Sequence, residues 1–198
     1  MGVEKRMADR CNTIRLYSFQ TDVVYQVLKR DGVCYSKEEY VRKKYKESAK
    51  VFINAYGWFV KEAQHIVPKP EGAEYPYWAF TDLYNVDQSG EGHVLTLDVP
   101  IGEVILFDMF DWTKIMQMHY IGENESEEAA FSEKLKNMGM NEFQIMTSNF
   151  YPEQKARIQE SWKRLFGHQQ AIEAGDNSGV HSVQAGLWCI KDEWIVKE

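Results

Sequence analysis

The chain has 198 residues, 44% hydrophobic and 14% aromatic, with 23 Lys+Arg against 30 Asp+Glu for a formal net charge of −7. That length and apolar content suit one domain with its own core and exclude overall disorder. The negative balance argues against a general nucleic-acid binder, which needs a basic footprint for phosphates. No run approaches the ~18 consecutive apolar residues of a membrane span, so no membrane role is expected. The polar start, MGVEKRMADRCN, lacks an apolar signal core and reads as a flexible tail over 1–12, with Met7 an alternative start. Cys11, Cys34 and Cys189 have no metal-type spacing, and reduced thiols in a cytoplasmic protein are the simplest reading.

TIRLYSF (13–19) alternates as a first strand, and Thr21 or Asp22 then caps a helix carrying Val24, Val27 and Leu28. Asp31-Gly32 stops that helix before a short strand, VCYS. Ser36 with Glu39 matches a capping box opening one long helix over about 37–66, with Val41, Tyr45, Phe52, Tyr56, Phe59 and Ala63 on its apolar face. Its basic stretch, Arg42 to Lys46, is interleaved with glutamates and reads as a solvated face. Strands follow at YWAF, HVLTLDVP and EVILFD, the last leading into a helix with Trp112, Ile115 and Met116 that Asp108 or Asp111 caps. Residues 121–142 hold six glutamates against two lysines and predict an acidic, exposed, poorly anchored and mobile helical segment. Pro152 opens another helix, GHQQAIEAGDNSG reads as a loop, and VHSVQAGLWCI with EWIVKE closes the chain. Strands at both ends with helices between predict a single α+β domain over 13–198, with the first and last strands as neighbours in a mixed or antiparallel sheet.

The five histidines have none of the spacings that gather a zinc site, and no nucleophile elbow or phosphate-cradling glycine loop appears. Neither a metal nor a resident cofactor is expected. Aromatic excess points to thick inter-layer packing before it points to a flat-ligand pocket. Two amides stand out: Gln20 ends the first strand and Gln184 interrupts the last. Each offers donors and an acceptor without the desolvation cost of a charge. If the strands pair, both amides lie near Trp188 or Trp78, a setting suited to a flat, hydrogen-bonding ring. Trp188, four residues from Gln184, falls on the same face of an uninterrupted strand.

The pieces RLYSFQT, VLKRDGVCY, AYGWFV, YPYWAF, VLTLDVPIGEVILFD, SWKRLFG and VQAGLWCI resemble, in order, the domain-of-unknown-function family 3841. The resemblance implies a small bacterial or phage-borne cytoplasmic protein with no attached activity. It places recurring positions on Gln20, Trp78, Asp108, Trp112, Trp162, Gln184 and Trp188. The layout RLYSFQTDVVYQVLKRDGVCY is also similar to ADP-ribosyltransferase-like domains, which implies that Arg15 or Tyr17 contacts NAD. A glutamate on a late strand would then stabilise charge at the ribose carbon. The late strand here reads Gln184-Ala185-Gly186, and its nearest acid is Glu193. The expected function is therefore a binding protein for a protein partner or a small nucleotide-like ligand, with Arg15, Tyr17, Gln20, Trp78, Asp108, Gln184 and Trp188 as candidate ligand contacts. The alternative is an NAD-dependent transferase.

Overall fold

Alternating side chains build the main sheet. In the computed structural model, which describes residues 12–46 and 49–197, five strands are hydrogen-bonded in the order β4-β1-β3-β6-β5. They are β1 (Thr13–Gln20), β3 (Tyr77–Phe80), β4 (His93–Pro100), β5 (Ile105–Asp108) and β6 (Val183–Leu187), and every neighbouring pair is antiparallel. A second sheet pairs β2 (Val33–Tyr35) with β7 (Cys189–Lys191). The α+β expectation holds. The expected pairing of first and last strands does not: β3 lies between β1 and β6, hydrogen-bonded to both. Of the tail over 1–12, only Asn12 is among the described residues, and Cys11 falls outside them.

The period of two divides the sheet into two buried faces. Leu16, Leu97, Ala79, Ala185 and Leu106 share one face with Val24 and Leu28 of α1 (Asp22–Asp31). Trp78, Ile105 and Phe107 share the other with helix α3 (Ala49–Ala63), helix α4 (Met109–Met116), Trp162 and Leu165. Phe59 of α3 reaches the sheet directly, its ring 5.1 Å from Trp78 and 5.5 Å from Phe107. A side chain at Gly186 would begin 2.9 Å from that ring, so the glycine in the last strand makes room for Phe59.

The expected long helix over 37–66 is instead two: α2 (Glu38–Tyr45) and α3. Lys46 closes α2 with a left-handed φ of 48°, which no helix interior accommodates. The capping box at Ser36 is also absent. Lys37 is the N-cap, Ser36 bridges to Tyr75, and the carboxylate of Glu74 accepts the Glu38 N–H at 2.8 Å.

Residues 121–142 contain α5 (Glu125–Asn137), which Asn124 caps. The acidic composition suggested weak anchoring, yet Phe131 and Leu135 are buried and Phe131 stacks on Tyr120 at 4.3 Å. Helix α6 (Glu142–Thr147) follows with a true capping box between Asn141 and Gln144, then α7 (Pro152–Ser161) with proline in its first turn. The expected loop from 167 contains α8 (Gln169–Glu173). No helix among the described residues is long and apolar enough to cross a membrane.

Candidate functional site

Register places several candidate residues together. Thr96, Tyr17, Phe80, Gln184 and Phe107 form one cross-strand row spanning all five strands. Phe107 belongs to the aromatic core, which fixes the face on which the whole row projects. Cover is graded along it: Thr96, Tyr17 and Phe80 are half-buried, whereas Gln184 and Phe107 are buried. Arg15, two residues before Tyr17, projects on the same face and forms a bidentate pair with Asp98 of β4, one contact at 3.0 Å. That pair holds the guanidinium above its ordinary value. Trp78, on the same face, donates its indole N–H to the Tyr56 hydroxyl at 2.9 Å and lies 4.8 Å from the Trp112 ring.

Gln184 is only 4% exposed, yet its side chain makes no hydrogen bond among the described residues. A primary amide has two donors and one acceptor oxygen. Among the described residues none of them has a side-chain partner, and Tyr17 and Phe80 of the same row are half-buried.

The other candidates separate from this row. Gln20 shares parity with Leu16 and therefore projects from the opposite face. Its amide donates to Ser18 Oγ at 2.8 Å, and Ser18 donates in turn to the Trp78 carbonyl at 2.7 Å. The two glutamines do not share a cavity. Trp188 lies one residue beyond the end of β6 and just before β7, outside the strand itself, and packs in the same aromatic cluster as Phe107. Its indole N–H donates to the Val67 carbonyl at 2.7 Å. It lines a different cavity, of about 310 Å³, with Tyr35, Pro68, Glu103, Lys191 and Trp194.

Asp108 is the N-cap of α4, accepting the Phe110 N–H at 2.9 Å. Its second oxygen accepts the His181 N–H at 3.0 Å and faces His181 Nδ1 at 2.9 Å. Burial alone would raise its pKa, but the backbone N–H groups of His181 and Phe110 outweigh it and hold the carboxyl below its ordinary value. Both oxygens are thus committed to joining β5, α4 and the 181–182 turn. Neighbouring Asp111 shows the opposite balance: burial first, opposed by Lys114, leaves it raised.

Two features escaped sequence reading. Gln169 of α8 lies against the free edge of β5, accepting the Leu106 N–H and donating to the Val104 carbonyl at 3.1 Å. A second cavity, of about 400 Å³, is bordered by Lys114, His119, Glu125, Glu128 and Glu142. There His119 Nδ1 meets Glu142 at 2.5 Å, and Glu142 also accepts the Tyr120 N–H at 3.2 Å. The acidic composition of 121–142, which holds Glu125, Glu128 and Glu142, is the sequence signal for that neighbourhood. Among the described residues no group of three or more His, Cys, Asp or Glu side chains converges as for a metal ion.

The architecture defines an antiparallel α+β domain with an aromatic layer between sheet and helices and a buried amide, Gln184, on the same sheet face. Residues 15–196 match the family described as domain of unknown function (DUF3841), and the chain belongs to that family. No curated protein and no solved structure matches it.

Proposed function

We propose that the chain is a binding module for a small, flat, hydrogen-bonding ligand seated over the Gln184–Phe80–Tyr17 row. The free amide of Gln184 carries this reading. An unpartnered amide at 4% exposure costs about 1–3 kcal/mol relative to a satisfied one, and a ligand edge supplying a donor and an acceptor removes that cost. At 4% exposure Gln184 offers too little surface for a protein interface, which favours a small molecule over a protein partner. Half-exposed Tyr17 and Phe80 offer apolar contact to a ring, and the exposed Arg15 lies on the same face. Nucleobases and nicotinamide are rings with the required edge chemistry.

NAD enters as one ligand of this class. An ADP-ribosyl transfer reading finds no carboxylate on β6, and Glu193 lies in the turn Asp192–Trp194 beyond β7. The reading therefore extends to binding and not to chemistry.

Titration calorimetry with adenosine, guanosine, uridine, nicotinamide, ADP-ribose and NAD tests the proposal. At least one should bind the wild type, and Gln184→Leu should weaken it at least about tenfold, the loss of one or two buried hydrogen bonds. Equal affinity in wild type and Gln184→Leu would remove the amide from the site.

A further inference from the structure

The cavity at the small sheet holds a charge arrangement that its apolar walls do not require. Lys191 leaves β7 with its Nζ 2.8 Å from both carboxylate oxygens of Glu103 and 4.8 Å from the centre of the Trp194 ring. Tyr35, Pro68 and Trp188 complete the walls around this pair. Trp188 and Trp194 are both buried, and the Trp188 indole is fixed by Val67, so the aromatic walls are set in place by the core. A carboxylate and aromatic side chains lining one cavity of about 310 Å³ are the chemistry that recognises an organic cation.

We propose that this cavity is a cage for an alkylammonium group, of the trimethylammonium class, and that Lys191 occupies it as a resident cation. The ligand binds by displacing the lysine. A primary ammonium is compact and strongly hydrated, so it gains by returning to water, whereas a quaternary ammonium has no N–H to hydrate and favours aromatic faces. Lys191 is placed to make that exchange, its side chain lining the cavity and being 30% exposed. Glu103, also partly exposed, then faces the incoming cation. The site lies apart from Gln184 and does not depend on the proposal made for that residue.

Choline and tetramethylammonium, titrated into the full chain at constant ionic strength and followed by tryptophan fluorescence, provide the test. Lys191→Ala removes the resident cation and should tighten choline binding at least about fivefold. Glu103→Gln should weaken binding by a similar factor, both within the range of one cation–π or ion-pair contact. The neutral analogue 3,3-dimethylbutan-1-ol, with the same shape and no charge, should give no saturable signal. Equal binding of the neutral alcohol, or no saturable choline binding by folded Lys191→Ala, overturns the proposal. If Lys191→Ala does not fold, the wild-type chain still decides. The ε-methylene protons of Lys191, shielded by the Trp194 ring, should move towards their free position as tetramethylammonium saturates. Unmoved resonances at high tetramethylammonium overturn the displacement.

Discussion

Gln169 and Gln184 are both buried glutamines beside β5, and their amides meet different ends. The Gln169 side chain imitates a sixth strand, pairing with Leu106 and Val104 on an edge otherwise without a neighbour. Replacing it with leucine leaves a buried N–H and a buried carbonyl unpaired, and chemical denaturation should show a loss of about 1–3 kcal/mol. Gln184→Leu removes a side chain with no internal hydrogen bond and adds apolar contact beside Phe107. The same measurement should show unchanged or higher stability, by up to about 1 kcal/mol. Asp108 behaves like Gln169: Asp108→Ala forfeits a helix cap and the hold on residues 181–182, an expected loss of about 2 kcal/mol. Gln184 drew notice in sequence because it interrupts an apolar run. Nothing in the sequence distinguished it from Gln20, since satisfaction of an amide depends on neighbours distant in the chain.

Strands were the most legible elements, because alternation at 13–20 and 93–100 reports directly which side chains enter the core. The helix over 37–66 was misread because its apolar spacing continues across Lys46, while the break comes from a left-handed backbone that spacing does not encode. Strand neighbours were misread for a related reason: β3 is only four residues long and carries little pattern, yet it occupies the centre of the sheet. At the start of α6, the His119–Glu142 contact ties the segment that follows α4 to the helix. Glu142, opposed by burial, raises His119 above its ordinary value of 6.5. Since the folded value is the higher one, the stabilisation is complete below the unfolded value and is lost as pH rises through the folded value. Unfolding midpoints should therefore fall between slightly acid and mildly alkaline pH, and His119→Gln should flatten that part of the profile. Within β6, Gly186→Ala forces the Phe59 ring away from the sheet, with an expected loss of about 1–3 kcal/mol in chemical denaturation.

Across the whole molecule the aromatic residues divide by role. Phe59, Phe107, Trp112 and Trp162 knit helices to sheet as packing, the use that composition favoured. Tyr17 and Phe80 continue the same face towards β1, half-buried where Gln184 is buried. The family was legible from scattered motifs covering nearly the whole chain. The site was legible only in part: Arg15, Tyr17, Trp78 and Gln184 share a face, while Gln20, Asp108 and Trp188 have structural partners elsewhere. The account rests on a ligand completing the hydrogen bonds of Gln184. Its most direct test is the side-chain amide resonance of Gln184, followed by ¹H–¹⁵N correlation during titration with the nucleoside, nicotinamide, ADP-ribose and NAD series. A saturable shift of the Gln184 amide pair, with those of Gln20 and Gln169 unmoved, is the predicted result; an unmoved Gln184 pair with every ligand would contradict it.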